Sequence, residues 1–439
     1  METKEEKRYK YGAPMSIILL IGFLTAASQS FGYMEAELLN TYIDHVLNLE
    51  YTFIAIMVIF SATMGLIFLF IWGIFSDNTR SKLGRRRPYI LGGAVVCGVS
   101  LIAFGFSNSY LWCFIIDVII IGIASNSLYA AQRVLVPDYV DVEHRGRVNS
   151  IVNVLFIIGI LVPVLLTFIA KESFSAPNPD PLETGVILTQ AGHQFLFYIG
   201  GGIVIIAGVV GFIFIKDPVP LSELPPKKRF KDELRSTFNI QLLKENKEFF
   251  KLIIAKTIYM SGVSAVISYI FNFLFSLEVA AIDYAIILGI AAPFLFIALF
   301  FLGKLTDKVG RKKVIPPTIL IACVGFIAVP ILIETGQLNP VLLGIAFGGI
   351  LLGLLGAMVP MNTWSQDLLP EEERGKFTGI YNIENTVSQI LGASAAAIVA
   401  TMLTGVLTNP IAGIFFVAPC YFALSIPFFL RVKETLIHK

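Results

Sequence analysis

The sequence predicts an all-α integral membrane protein with twelve transmembrane helices in two six-helix halves. Three observations predict it. Hydrophobic residues make up 56% of the chain and charged residues only 15%, with a mean hydropathy of +0.78. Basic residues gather in alternate connections between apolar runs, and the charged connections of the first half recur in the second.

Uncharged runs such as Ile54–Phe75 are long enough to cross the hydrocarbon layer, which takes roughly 20 residues of helix. Each run is expected to be helical, because a backbone amide left unpaired in lipid costs several kcal/mol. In order, the runs fall near 17–38, 52–74, 89–107, 111–132, 149–170, 194–215, 253–275, 284–303, 314–334, 341–364, 377–401 and 410–430. The first is too long for a signal-peptide core and lacks a small-residue cleavage site, so it is read as a retained helix.

Charge fixes the expected orientation. Lys4, Lys7, Arg8 and Lys10 precede the first run, and Arg80, Lys82, Arg85, Arg86 and Arg87 separate the second from the third. Arg133, Arg145 and Arg147 follow the fourth, and Lys227, Lys228, Arg229, Lys231 and Arg235 lie in the central link. Lys304, Lys308, Arg311, Lys312 and Lys313, then Arg374 and Lys376, then Arg431 and Lys433 continue the alternation. The opposite connections hold Lys171 and little else that is basic. The positive-inside rule therefore places both termini in the cytoplasm of a multi-pass cell-membrane protein. An odd number of spans would put the basic loops of the second half outside.

The repeat divides the chain. Gly73-Ile74-Phe75-Ser76-Asp77 with Gly84-Arg85-Arg86-Arg87 is echoed by Gly303-Lys304-Leu305-Thr306-Asp307 with Gly310-Arg311-Lys312-Lys313. Asp138 with Arg145-Gly146-Arg147 is echoed by Asp367 with Arg374-Gly375-Lys376. The first pair of acids is 230 residues apart and the second 229, and two markers agreeing so closely point to duplication. The expected organisation is 1–215 as the N-terminal half, 216–250 as a linker and 251–439 as the C-terminal half. Within the linker, Pro218, Pro220, Pro225 and Pro226 precede Phe230, Leu234, Phe238, Leu242 and Leu243 among charges, a spacing that suits an amphipathic surface helix. A plain charged tether is the other reading.

Several classes of chemistry lack their signals. There is no Walker loop, no His-Glu-x-x-His pair and no dinucleotide fingerprint. Cys97, Cys113, Cys323 and Cys420 show no close spacing, and only four histidines are present, so neither a disulfide framework nor a metal centre is expected. No cofactor is expected. The basic residues flank helices at headgroup level, which accounts for them through membrane lipid without nucleic acid.

Gly-x-x-x-Asp followed by Gly-Arg-Arg-Arg, with its weaker copy, resembles the signature loop of the major facilitator superfamily, and with the repeat this likeness covers essentially the whole chain. The stretch from Asp77 to Tyr89 is similar to the loop of the glycoside–pentoside–hexuronide:cation symporters and the sucrose/proton symporters. Gln29-Ser30-Phe31-Gly32-Tyr33 leading to Glu35 and Glu37, and Asn126 followed by Arg133, Leu135 and Asp138, resemble the sucrose-type branch. The resemblance implies a major facilitator fold with spans one and four facing a central cavity. It also implies a conformational latch of Asp77, Asp138, Asp307 and Asp367 with Arg85, Arg86, Arg87, Arg145, Arg311 and Arg374. Where the sucrose-type branch places its span-four acid this chain has Gly122.

Acids inside a span cost roughly 2.5 to 3.5 kcal/mol each at mid-membrane and need a cavity or partner. Glu35, Glu37, Asp117 and Glu384 are the candidates for cation coupling. Glu35 and Glu37 lie about 200° apart around a helix, so at most one points squarely into a cavity. Lys256 is expected to snorkel to the headgroups. Tyr381, Glu384, Asn385, Ser388 and Gln389 form a polar stripe at three and four residue spacings, and Asn153 matches Asn382 at the repeat offset. With Gln29, Asn126, Tyr129, Arg133, Tyr269, Asn272, Asn362 and Trp364, these residues could hold a hydroxylated solute through hydrogen bonds and an aromatic platform. The expected partners are a small solute such as a sugar, a proton or sodium ion, and membrane lipid. The expected function is therefore secondary active transport, with a lipid, drug or organic-anion carrier, or a non-transporting sensor or scaffold, as alternatives.

Overall fold

The computed structural model describes residues 13–140, 144–179, 185–216, 227, 229–230, 246–277, 279, 281–368 and 378–435. Among them, eleven helices are long and apolar enough to cross a membrane, and Ile282–Ile297 is a shorter apolar one. The twelve spans are α1 (Met15–His45), α2 (Tyr51–Asn78), α3 (Arg87–Phe104), α4 (Tyr110–Tyr139), α5 (Arg145–Phe174), α6 (Gln190–Phe214), α7 (Lys247–Ser276), α8 (Ala281–Ile297), α9 (Arg311–Glu334), α10 (Pro340–Asp367), α11 (Thr378–Leu403) and α12 (Pro410–Leu430). The fold is all-α apart from two paired three-residue strands, β1 (Ser175–Pro177) and β2 (Val186–Leu188), between α5 and α6. Most of the amphipathic linker expected at 216–250 lies outside the described residues.

Three spans are not uniform rods. In α4, Ile115–Ile121 is wound as a π-helix. In α7 the helix stops at Ile267 and resumes at Ile270. Tyr269 at this break, with φ −130° and ψ 13°, donates its hydroxyl proton to Ala393 O at 3.2 Å. The short α8 is continued by a π-wound Ala298–Leu302 and a helix over Gly303–Val309, which supplies the length that its 17 residues at about 1.5 Å each would not.

The chain divides into two compact units. The first comprises Met1–Tyr42, Thr63–Phe174 and Leu188–Phe230, and the second Ile43–Ala62, Ser175–Ile187 and Lys231–Lys439. In the first, α3 packs against α4 and α6. In the second, α9 packs against α10 and α12, α7 against α11 and α12, and α8 against α10.

Small residues set the closest crossings, since lipid gives helices no hydrophobic reason to associate and close backbone approach must do so instead. A Cβ on Gly98 of α3 would lie 2.5 Å from Gly201 O of α6, and one on Gly201 would lie 2.6 Å from Gly98 O. Within each unit a similar crossing recurs. Gly159 of α5 sits against Ala26 of α1, where a Cβ would meet the carbonyl oxygen at 2.3 Å, and Gly392 of α11 sits the same way on Ser261 of α7, also at 2.3 Å.

Candidate functional site

The first unit brings several of the expected residues of α1 and α4 together. Asp117 lies in the π-wound turn, where the Gly122 N–H donates to Asp117 O five residues back. Its side chain is buried, and Tyr110 and Cys113 lie close enough to feel its charge. Glu35, half-buried on α1, interacts electrostatically with Asp117. Tyr129 and Cys97 feel the Glu35 charge in turn. The Tyr129 hydroxyl sits over Gly32, where a Cβ would approach it to 2.6 Å, and lies 3.5 Å from Ser28 O. One helical turn beyond Tyr129 comes Arg133, which is exposed, interacts with Tyr129, and has no ion pair among the described residues. Glu35, Asp117, Tyr129 and Arg133 thus form one polar line along α1 and α4.

The remaining candidates of this unit are placed differently. Glu37 is buried, interacts with Tyr33 one turn earlier, and its Oε2 has no hydrogen-bond partner among the described residues. Asn126 is buried and donates to Gly122 O at 2.7 Å. Gln29 is half-buried and Asn153 exposed. Gln132, which the sequence reading passed over, donates from Nε2 to Thr25 Oγ1 at 3.0 Å and ties α4 to α1.

In the second unit the expectation for Lys256 is corrected. Rather than reaching for headgroups, it turns inward, with Nζ 3.1 Å from Glu384 Oε2 and 5.2 Å from the centre of the Tyr381 ring. The carboxylate attracts the ammonium more strongly than its stem favours the interface, because the two side chains are only 15% and 5% exposed and the attraction is weakly screened. Ser388, four residues past Glu384, donates to Thr257 O at 3.1 Å. Asn385 and Asn362 are exposed and Gln389 half-buried.

Three candidates for solute contact are occupied with packing instead. Trp364 is completely buried and donates its indole N–H to Lys433 O at 3.1 Å, which leaves no ring face open as a platform. Tyr269 is completely buried at the α7 break. Asn272 is buried and donates to Asp44 Oδ2 at 2.5 Å.

The charged residues at the helix ends form one cluster in each unit. Arg86 reaches Asp77 Oδ1 at 2.8 Å, Asp138 Oδ2 at 3.1 Å and Ser76 Oγ at 2.7 Å, and Arg85 reaches Asp138 Oδ2 at 3.0 Å. Arg87 turns away to Phe212, bonding its carbonyl and lying 4.8 Å over its ring. Arg145 bonds the carbonyls of Val140 and Pro137. In the second unit Arg311 meets Asp367 at 2.5 Å. The side chain of Asp307 and all of Arg374 lie outside the described residues. Gly84 and Gly310, at φ 99° and 93°, make the same turn before each basic run, a conformation that glycine adopts without strain. The segment after α12, read from the sequence only for its basic Arg431 and Lys433, joins the second cluster. Lys433 N–H donates to Glu248 at 2.6 Å, Glu434 accepts from Lys312 N at 3.0 Å, and Thr435 bonds Arg311 and approaches Asp367 at 3.4 Å.

Comparison with known proteins agrees with this architecture. The sucrose transport protein SUC3 of Arabidopsis thaliana is 27% identical over 165 residues, covering 33% of this chain and 28% of that protein. The sucrose transport protein SUT3 of Oryza sativa subsp. indica is 33% identical over 91 residues, 20% of this chain and 18% of that protein. The chain thus spans less than a third of the length of the curated relatives it matches. Among solved structures, the nucleoside transporter NupG superposes with a TM-score of 0.69 at 12% identity, covering 95% of this chain and 99% of that one. The xylose transporter XylE from E. coli superposes at 0.64 and 16% identity, covering 97% and 100%. At such identities these two speak for the fold alone. The profile of the Major Facilitator Superfamily matches residues 14–393, and again 285–435, and with that span matched the chain belongs to the Major Facilitator Superfamily of membrane transporters.

Proposed function

We propose that the protein is a secondary active transporter that moves a sugar or glycoside together with a proton or sodium ion by alternating access. The observation that carries this reading is the Glu35–Asp117 neighbourhood on α1 and α4. Two carboxylates close together in a low-dielectric interior repel, and a cation arriving between them removes that repulsion. Arg133 supplies a positive group further along the same line. Gln29, Asn126, Tyr129 and Asn153 in the first unit, and Asn362, Tyr381, Asn385 and Gln389 in the second, offer hydrogen bonds suited to hydroxyl groups. The likeness of part of the chain to plant sucrose transport proteins supports a sugar as the solute class.

On this reading the halves 1–215 and 251–439 rock about the central link, and both termini lie in the cytoplasm, as the distribution of basic residues supports. The clusters around Asp77, Asp138 and Arg86, and around Arg311 and Asp367, act as latches that re-form in each cycle. Uptake of labelled sucrose and simple glucosides into proteoliposomes, with and without an inward proton or sodium gradient, tests the proposal. Gradient-stimulated accumulation of a sugar is the expected result. Movement of a labelled lipid or organic anion with no sugar uptake would replace it with a different carrier.

A further inference from the structure

We infer that the ammonium of Lys256 is a resident cation, filling a carboxylate-and-aromatic site on Glu384 and Tyr381 that would otherwise take a monovalent metal ion or small organic ammonium from solution. The Lys256 and Glu384 side chains are 15% and 5% exposed, with nitrogen and oxygen 3.1 Å apart. The Tyr381 ring lies 5.2 Å from the same nitrogen, inside the roughly 6 Å over which a ring face attracts a cation. Carboxylate plus ring face is the chemistry with which proteins hold amines.

The surroundings make this a built site rather than a chance meeting of long side chains. Thr257, the residue after Lys256, accepts a hydrogen bond from Ser388, one turn past Glu384, at 3.1 Å. One further turn on, Gly392 sits against Ser261, with so little room that a Cβ would lie 2.3 Å from its carbonyl oxygen. The crossing of α7 and α11 is thereby held on the side next to the pair. Shortening Lys256 would leave Glu384 and Tyr381 in place around a space the size of an alkylammonium ion. A buried carboxylate without a cation is costly, and a soluble cation small enough to enter would bind there.

Resting on the proposed transport reading, one consequence is that Glu384 is unavailable to the driving ion, which leaves ion coupling to Glu35 and Asp117 in the first unit. The inference itself needs no transport to be tested. Melting of the purified full-length chain in detergent is measured at constant ionic strength in sodium, potassium, methylammonium and ethylammonium chloride. Lys256→Ala is expected to melt about 5 to 10 °C below the parent protein, from the loss of one partner of a buried pair. Methylammonium or ethylammonium should recover part of that loss in a dose-dependent way, with no such effect on the parent. Lys256→Ala combined with Glu384→Gln should regain stability and ignore the added cations.

If Lys256→Ala responds to none of the four cations, or the double variant melts as low as the single one, the inference is overturned. Should the single variant not fold, the exchanged pair Lys256→Glu with Glu384→Lys decides: melting near the parent supports a paired site, and failure to fold overturns it. Cation rescue of melting in a protein that moves no sugar would leave the inference standing and overturn the transport reading.

Discussion

Arg86 is shared by two carboxylates, with Asp77 Oδ1 at 2.8 Å from one terminal nitrogen and Asp138 Oδ2 at 3.1 Å from Nε. A single guanidinium, only 4% exposed, therefore joins the end of α2 to the end of α4. The two acids are not equivalent. The Asp77 side chain is 44% exposed and its carboxylate pairs with Arg86, while its carbonyl accepts from Arg80 at 2.8 Å, whereas the Asp138 side chain is 18% exposed and also accepts from Arg85. Exposed pairs are worth about 0 to 1 kcal/mol, and breaking a buried pair costs about 3 to 5. Asp77→Asn is expected to leave melting nearly unchanged, and Asp138→Asn to lower it measurably. Arg86→Lys keeps the charge and loses the fork, so it should fall between the parent and Arg86→Ala. Thermal unfolding of the four variants checks the order.

Asp117 and Glu35 are expected to carry the driving ion. Asp117→Asn removes an ionisable carboxyl from a buried position beside Glu35 with almost no change in side-chain volume. In proteoliposomes this variant should lose gradient-driven accumulation by tenfold or more, a change of about 1.4 kcal/mol, while retaining exchange of labelled for unlabelled solute. Undiminished accumulation would remove Asp117 from coupling.

Adjacent glycines on α6 should respond oppositely to the same change. A Cβ on Gly201 would meet Gly98 O at 2.6 Å, whereas nothing lies within 4 Å of the corresponding position on Gly202. Gly201→Ala is expected to destabilise by about 1 to 3 kcal/mol through overpacking. Gly202→Ala should be neutral or slightly stabilising, since alanine favours helix over glycine by up to about 1 kcal/mol. Melting of the two single variants compares them directly.

The segment after α12 is expected to loosen when its anchors are removed. Trp364→Phe deletes the hydrogen bond to Lys433 O, worth about 1 kcal/mol, and Thr435→Val deletes the hydroxyl between Arg311 and Asp367. Hydrogen exchange at residues 431–435 should accelerate in each variant and more in both together.

The helices were legible in the sequence for a direct reason. Lipid demands an uninterrupted apolar stretch, and every stretch read from hydropathy meets a helix in the structure. The acids and arginines at the helix ends were named through resemblance alone, and which of them meet, Arg86 with Asp77 and Asp138 and Arg85 with Asp138, is set by how the ends of α2 and α4 approach in the fold. Lys256 was not legible as a partner of Glu384, since they are 128 positions apart in the chain and a lysine near a helix end has two physically reasonable directions. Trp364, Tyr269 and Asn272 read as solute contacts from residue type alone. Their hydrogen-bond partners, Lys433, Ala393 and Asp44, come from distant segments. The π-winding at Ile115–Ile121 leaves no periodic trace, because isoleucine and valine fill every position in it but Asp117.

That wide turn alters how positions along α4 may be counted. An i+5 hydrogen bond accommodates one more residue than a regular turn does, so residues before Ile115 and after Ile121 are out of phase with a uniform helical wheel. Any transfer of facing from a relative with an unbroken fourth span would misassign one side of Asp117 by about a residue. Removing a single isoleucine from this stretch would let the turn close to regular winding and leave Tyr129 and Gln132 against α1, whereas the same deletion in the regular helix after it would turn everything beyond by about 100°.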